Sequence, residues 1–158
     1  TSAYWTVTLP EQDRDVFHWP GLLLAPVLVV VYADAGRYLD RYSEPDKASM
    51  GLGGSDEDWP IPYWFIDAAF SALALQLLVV GEGLGCCFFG LFGHERAVSR
   101  RFGVPEGQRS VGAVAIGYPA PDDQRPSASA ERGRRDLGEV LHRGHWGIPD
   151  VRPPEAGR

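Results

Sequence analysis

The sequence predicts a single domain of mixed helices and β-strands, and three features lead to this prediction. Residues 68–80 are apolar almost without interruption, as in a deeply buried helix. Residues 25–32 and 111–118 are apolar and rich in β-branched side chains, as in the central strands of a sheet. Glycines follow the helix and interrupt the second of these segments, where sharp turns or close backbone contacts are expected. The length of 158 residues suits one domain.

The apolar helix organises the rest of the chain. Only Ser71 and Gln76 interrupt the run from Ala68 to Val80, which therefore lacks the polar face of a surface helix. We expect it to be buried on all sides, with a partner subunit covering the face that one small chain leaves bare. Asp67 is predicted to lie in the first turn, where a carboxylate suits the helix dipole. The run spans 13 residues, fewer than the roughly 20 needed to cross a membrane, so we expect no membrane span.

Upstream of this helix, the residues indicate a strand, a short helix and a long loop. Thr6 to Leu9 predict a short strand or an ordered arm, and Ala25 to Tyr32 predict a central strand with both faces covered. Tyr38 to Tyr42 predict a short helix or turn. Residues 43–62 form a loop long enough to be functional or mobile. Four large aromatic residues near the start are expected to pack on the core: Tyr4, Trp5, Phe17 and Trp19.

Downstream, the predicted elements are a buried strand at 86–89, a helix at 95–102, a central strand at 111–118, and one or two turns or an extended segment at 136–142. His94 or the glycine before it is expected to cap the helix, and Gly103 to end it. Cys86 and Cys87 are adjacent, which disfavours a disulfide between them, so we expect two small buried hydrophobic side chains.

The composition excludes some classes of function. A net charge of −6 argues against a nucleic-acid-binding surface. Two cysteines and the lack of a basic-then-apolar N-terminal segment predict a cytoplasmic protein. Basic residues gather late in the chain and suit a small anion better than a polymer: Arg125, Arg132, Arg134, Arg135, His142 and Arg143.

The chemistry-bearing residues point to a bound cofactor. The sequence contains no recognisable catalytic triad, Walker loop or dinucleotide fingerprint, and its four histidines are scattered, so we expect no metal site. What remains is a glycine-flanked loop at 90–93 and the late arginines. Together they suit a planar cofactor that carries a phosphate, with backbone N–H groups on the ring and arginines on the phosphate. Ordinary helix termination and a solvated basic face explain the same residues.

Several segments resemble the nitroreductase superfamily, in the order in which that family carries them. They are WPGLLLAPVLVV, EPDK, WPIPYW, EGLGCCFFGLFGHERAVSRRFGVPEGQRSVGAVAIGYP and ERGRRDLGEVLHRGHW. The resemblance implies an α+β fold with a mostly antiparallel central sheet flanked by helices. It also implies a homodimer whose interface buries the long central helix.

The same resemblance implies a function and a set of binding residues. Hydride would pass from NAD(P)H through FMN to a small-molecule acceptor, without a catalytic side chain. Gly90, Leu91, Phe92 and Gly93 would lie along the flavin ring, with the N–H of Phe92 or Gly93 near N5. Many relatives have an acidic residue where Phe92 stands, so only a backbone role carries over. Arg132 and Arg134, with Arg135 as a neighbour that could replace either, would bind the FMN phosphate.

The resemblance also sets the expected boundaries and the alternatives. The family's N-terminal flavin-binding segments have no counterpart before Thr1, so we expect an N-terminally truncated domain at 1–151 and a disordered tail at 152–158. A flavin-poor, non-catalytic subunit that binds a small molecule or a partner is the alternative function. A reductase that uses a deazaflavin, or that acts on a flavin, also stays open. Trp59, Tyr63 and Trp64 would line a substrate pocket or pack on the core.

Overall fold

The computed structural model describes residues 1–91, 93–119 and 131–148. The chain divides into two compact units, Thr1–Pro119 and Ala120–Arg158, and each is described by itself. The first unit is α+β, as expected: three antiparallel strands lie between helices. The expected tail at 152–158 lies outside the described residues, and the single-domain boundary at 1–151 stays a prediction.

The helices and strands of the first unit are short, apart from one. The helices are α1 (Ser2–Thr8), α2 (Pro20–Leu24), α3 (Ala35–Ser43), α4 (Tyr63–Gly81) and α5 (Glu95–Phe102). The strands are β1 (Val27–Ala33), β2 (Gly85–Phe89) and β3 (Arg109–Gly117). Single 3-10 turns lie at Glu11–Asp13, Ala48–Met50 and Asp56–Asp58.

The sheet has the strand order β1-β3-β2, with both pairings antiparallel. β3 is therefore the central strand, as predicted, and its residues Ala113 and Val114 are completely buried. The prediction that β1 is also central is wrong, because β1 pairs with β3 alone among the described strands. Its continuous apolarity reflects packing on both faces rather than pairing on both edges, since most of its residues are half-buried.

Two hydrophobic clusters cover the two faces of the sheet. Leu28 and Val30 of β1 pack on a cluster with residues of α1, α2 and α5, whereas Val31 and Ala33 belong to a cluster with α3 and α4. Successive strand side chains point to opposite faces, so the clusters lie on opposite sides of the sheet. The sheet is thus sandwiched between α1, α2 and α5 on one side and α3 and α4 on the other.

The central helix α4 begins earlier than the sequence predicts. It starts at Tyr63, directly after Pro62, so that Asp67 lies in the second turn and the predicted helix-dipole role of Asp67 is wrong. Its carboxylate instead accepts a hydrogen bond from the Tyr38 hydroxyl. The C-terminus is closed as expected by a glycine: Gly83 has φ +75°, and the N–H groups of Gly83 and Leu84 donate to Val80 and Val79.

α4 is not buried on all sides within one chain, which corrects that expectation. A stripe of Trp64, Ala68, Ala72 and Val79 is buried, and α4 packs against all three strands. The face away from the sheet is apolar and exposed; its residues are Phe70, Leu73, Leu77, Leu78 and Val80. That a partner subunit covers this face stays a prediction.

The length of α4 also bears on the expected absence of a membrane span. The helix has 19 residues and, by length and composition, is apolar enough to cross a membrane. The length argument made from the 13-residue run therefore does not hold. Core helices of soluble proteins, which are mostly buried, meet the same criterion; 22% of the 18-residue apolar stretch of this helix is buried within one chain.

The start of the chain is helical, which corrects the predicted strand or arm at Thr6–Leu9. α1 ends at Thr8, and its Tyr4 and Trp5 are buried against the sheet, as expected for these aromatic residues. Packing of the two rings fixes this segment as a helix despite its β-branched residues, because tertiary contacts outweigh local propensity.

β2 is less buried than predicted. Cys86 is half-buried, Cys87 is exposed and Phe88 is 42% exposed. The expectation of two small buried cysteines is therefore wrong for Cys87. β2 is an edge strand among those described, so one of its sides lacks a neighbouring strand to cover it.

In the second unit, the structure describes residues 131–148. A short helix, α6 (Leu137–Val140), lies within the predicted turn segment at 136–142. Asp136 caps it, since the Gly138 N–H donates to Asp136 Oδ1 at 2.8 Å. The rings of His142 and Trp146 lie 4.5 Å apart between centroids.

Candidate functional site

The predicted ring-binding loop joins β2 to α5. Gly90, Leu91 and Gly93 are described, whereas Phe92 lies outside the described residues. Leu91 is only 4% exposed and belongs to the cluster that contains Trp5 and Val98. Its side chain therefore anchors the loop to the core, and only backbone atoms of Leu91 are left to meet a ligand.

Gly93 is the residue of this loop whose backbone needs glycine. Its φ is +89°, a conformation that side chains with a Cβ rarely adopt. Within the described part of the chain, no heavy atom beyond its neighbours lies within 4 Å of where a Cβ would stand. The backbone at Gly93 thus borders open space, as close approach by a planar ligand requires.

The N–H of Gly93 already has a partner. It donates to Oε1 of Glu95 at 3.1 Å, across the start of α5. The backbone N–H of Glu95 itself and that of Gly93 hold the pKa of this carboxyl below its ordinary value of 4.5. Glu95 is exposed and ionised at neutral pH, so a carboxylate covers one of the two N–H groups, those of Phe92 and Gly93, that the family resemblance implies near the flavin.

α5 and α1 hold the loop in place. Val98 of α5 is completely buried, and its N–H donates to the carbonyl of His94, the residue that begins the helix, as predicted. Trp5 of α1 stacks on Phe89 at the end of β2, with ring centroids 6.2 Å apart and planes 7° from parallel. α1 therefore rests on the strand that delivers the loop, and α5 packs against α1.

Trp5 brings an unpaired donor to this region. Its buried Nε1 finds no hydrogen-bond acceptor among the described residues. Burying a donor without a partner destabilises a protein, so such a group often marks the place of a water or ligand. Neighbouring Tyr4 is buried as well, and burial raises the pKa of its hydroxyl to about 12, which keeps it protonated.

These features fit a planar ligand with hydrogen-bonding edges. The loop offers an open backbone at Gly93 and is held by the buried Leu91 side chain, and an unpaired indole N–H lies in the same cluster as Leu91. Trp5 and Glu95 were not predicted as site residues from the sequence. Glu95 has a local signal in the sequence, since it is a carboxylate two residues after a glycine at a helix start. No local signal identifies Trp5.

The three predicted phosphate ligands lie in the second unit. Arg132, Arg134 and Arg135 are all exposed. Their guanidinium groups are therefore accessible to an anion. Since the two units are described separately, the pairing of these arginines with the loop stays a prediction.

A second concave region lies on the other side of the sheet. Trp59 and Tyr63 line an open cavity of about 520 Å³, together with Tyr38, Tyr42, Met50 and Asp67. Trp59 is also part of the core cluster, and Trp64 is buried there without lining the cavity. The sequence left two roles open for these aromatic residues, lining a pocket and packing on the core, and Trp59 has both. Within the described ranges, no group of three or more His, Cys, Asp or Glu residues could hold a metal ion.

Comparison with known proteins places the first unit in a family. The model of the nitroreductase family matches residues 3–118, which include β2, the loop at 90–93 and α5. Among proteins with curated descriptions, none matches the chain.

Three solved structures are similar in fold. A Staphylococcus epidermidis protein provisionally assigned as an NAD(P)H:FMN oxidoreductase has a TM-score of 0.49 and 19% identity, over 87% of this chain and 71% of that one. An FMN-dependent nitroreductase of Clostridium difficile gives 0.44 and 18%, over 89% and 91%. An NADPH:FMN oxidoreductase of Vibrio harveyi gives 0.46 and 17%, over 89% and 70%. The TM-scores are too low to carry an argument, so the assignment rests on the family model.

Proposed function

Because the chain belongs to the nitroreductase family, we propose that it is a flavin-dependent oxidoreductase that passes hydride from NAD(P)H through FMN to a small-molecule acceptor. The observation that carries the proposal is the loop at 90–93. It lies inside the matched region, its backbone is open at Gly93, and an unpaired donor lies in the cluster beneath it. All three similar solved proteins are named for FMN, and two of them are also named for NAD(P)H or NADPH.

In this proposal the protein binds and orients, and the bound FMN supplies the redox chemistry. Gly90, Leu91, Phe92 and Gly93 offer backbone atoms to the ring, while the buried Leu91 side chain keeps the loop rigid. Arg132 and Arg134, or Arg135, pair with the phosphate through bidentate hydrogen bonds. No acid, base or nucleophile is required from the chain, which agrees with the absence of a recognisable catalytic motif from its sequence.

The proposal includes a homodimer formed through α4. Four large side chains on the outer face of this helix are more than half exposed in one chain: Phe70, Leu73, Leu77 and Leu78. A contiguous apolar face of this kind usually marks an interface. A second copy would cover it with an equivalent face.

We also propose a cytoplasmic location, because the sequence contains only two cysteines, as is common in a reducing compartment.

The flavin-poor alternative has one observation in its favour. The Gly93 N–H donates to the Glu95 carboxylate, so a flavin would have to displace that carboxylate to use the same donor. A subunit that has filled its own donor in this way could keep the fold and bind something other than a flavin.

The visible absorption spectrum of the purified protein separates the two functions. The spectrum is recorded first alone, then after adding FMN and removing the excess, and last after adding NADH or NADPH without oxygen. Retained yellow colour that bleaches with the nucleotide supports the oxidoreductase. A protein that retains no FMN, although circular dichroism shows it folded, contradicts the oxidoreductase and favours the alternative.

A further inference from the structure

The cavity beside α3 has walls that are mainly aromatic and rigid. Trp59 is its centre: the ring centroids of Tyr38, Tyr42 and Tyr63 lie 5.4, 4.7 and 6.1 Å from that of Trp59, all in edge-to-face arrangements. The indole is only 9% exposed, and its Nε1–H donates to the Leu52 carbonyl at 2.8 Å. This contact fixes the ring around which the others pack.

The ionisable acid of the cavity wall is Asp67. It accepts a hydrogen bond from the Tyr38 hydroxyl. That bond, followed by burial, raises the pKa of Tyr38 to about 12, so the hydroxyl stays a donor at neutral pH. A carboxylate has about four lone-pair sites. Asp67 is exposed and lines the cavity, so the lone-pair sites that Tyr38 leaves unused are accessible to a ligand.

One of these rings already attracts a cation. The Lys47 ammonium lies 5.8 Å from the centroid of the Tyr42 ring, within the distance at which ring and charge attract. The turn that leads to Trp59 is acidic, with Asp56, Glu57 and Asp58 in succession. Together with Asp67, these carboxylates outnumber the Lys47 ammonium that competes for the Tyr42 ring, so the charge around the cavity favours a positive ligand.

We propose that this cavity binds an organic cation, a methylated or aromatic ammonium compound whose charge lies near Tyr42 and Asp67. The volume of about 520 Å³ falls in the range of small-molecule sites. Aromatic rings around a carboxylate suit such a cation, because ring faces attract a weakly hydrated charge that water solvates poorly. The site is separate from the loop at 90–93, so the inference does not depend on flavin binding.

The test compares a cation with its uncharged isostere. Phenyltrimethylammonium and tert-butylbenzene have the same shape and differ in charge. Each is titrated into the protein of residues 1–158, with and without added FMN. The indole N–H signal of ¹⁵N-labelled Trp59 is followed by NMR, and the heat is measured by calorimetry. We expect saturable binding of the cation alone, with a shift of the Trp59 signal.

Three variants identify the site. Lys47→Met frees the Tyr42 face and removes a competing charge, so cation affinity should rise about two- to fivefold, the scale of an exposed cation–ring contact. Asp67→Asn keeps the shape and the acceptor for Tyr38 but removes the charge, and should lower affinity by about the same factor. Arg37→Met removes a positive charge from an exposed α3 side chain that does not line the cavity, and should change little.

The outcomes decide the proposal. Equal binding of the isostere, no binding of the cation up to millimolar concentration, or the same affinity change in Arg37→Met as in Lys47→Met would each overturn it. Because none of the three substitutions removes a buried apolar side chain, unchanged thermal unfolding is expected and confirms that the affinities are comparable. Cation binding in a protein that retains no FMN would support this inference while contradicting the proposed function.

Discussion

The backbone N–H of Gly93 and the carboxylate of Glu95 are joined by a hydrogen bond of 3.1 Å at the start of α5. This contact covers one of the two N–H groups, those of Phe92 and Gly93, that the family resemblance implies near the flavin ring. It also stabilises the glycine loop when no ligand is present, since the carboxylate satisfies a backbone group that the helix start leaves unpaired. In the proposed function, a flavin that uses the Gly93 N–H would compete with this contact.

Weakening the hydrogen bond between Gly93 and Glu95 should tighten flavin binding. In Glu95→Gln the amide oxygen still accepts from Gly93, but without the charge that makes such bonds stronger, so we expect FMN affinity to rise about three- to tenfold. Quenching of FMN fluorescence on titration measures the change. Glu106→Gln, an exposed turn residue, is the matched control. Unchanged or weaker affinity in Glu95→Gln alone would show that Gly93 does not serve the flavin.

The same contact predicts a pH dependence of stability. The pKa of Glu95 is lowered in the folded protein, so its contribution to stability is complete above about pH 4.5 and is lost as the pH falls through the lowered pKa. The difference in unfolding temperature between wild type and Glu95→Gln should accordingly shrink as the pH falls below 4.5. Thermal unfolding followed by circular dichroism across this range measures it. A difference that stays constant with pH would contradict the linkage.

Flavin affinity should also depend on the arginines of the second unit. Arg134→Ala should weaken FMN binding about ten- to a hundredfold, because one charge-assisted hydrogen bond is worth about 1.5–3 kcal/mol. Riboflavin, which lacks the phosphate, should bind wild type and variant equally. Arg101→Ala removes an equally exposed arginine from the end of α5 and serves as the control. If FMN binds Arg134→Ala as tightly as wild type, Arg134 is not a phosphate ligand.

Local signals in the sequence located some elements closely and failed for others. α5 has the predicted bounds because a polar helix start at Glu95 and a left-handed Gly103 bracket it. β3 was predictable from its apolar run. The start of α4 was not, because the aromatic residues from Tyr63 onward read as a loop until packing of Trp64 on the sheet is known.

The candidate site shows the same division. The sequence indicated the loop at 90–93 through its glycines, and Gly93 does adopt a positive φ. The occupied Gly93 N–H and the unpaired Trp5 Nε1 depend on contacts that no pattern of residue types encodes. The edge position of β1 was missed for a related reason: apolarity reports burial of side chains and not the number of neighbouring strands.

The proposed dimer can be separated from folding on adjacent residues of α4. Leu78 is 70% exposed in one chain and Val79 is 7% exposed. Leu78→Asp should therefore give a folded monomer, whereas Val79→Asp should unfold the chain, because it buries an unpaired charge against the sheet. Light scattering after gel filtration gives the mass, and circular dichroism gives the helix content. A folded dimer from Leu78→Asp would contradict the proposed interface.

Gly112 should resist substitution because of a close contact across the sheet. A Cβ on Gly112 would lie 2.5 Å from Cζ of Phe88 and 2.9 Å from the carbonyl oxygen of Phe89. The Phe88 ring can move, since it is partly exposed, but the strand backbone at Phe89 cannot. Gly112→Ala should therefore lower the free energy of unfolding by about 1–3 kcal/mol, as overpacking does. Gly21→Ala in α2 meets no atom of the described residues within 4 Å and should be neutral or raise stability by up to about 1 kcal/mol. Urea unfolding of both variants measures the difference. Adding Phe88→Leu to Gly112→Ala should recover only part of the loss, because the clash with the Phe89 carbonyl remains; complete recovery would show that the ring alone sets the constraint.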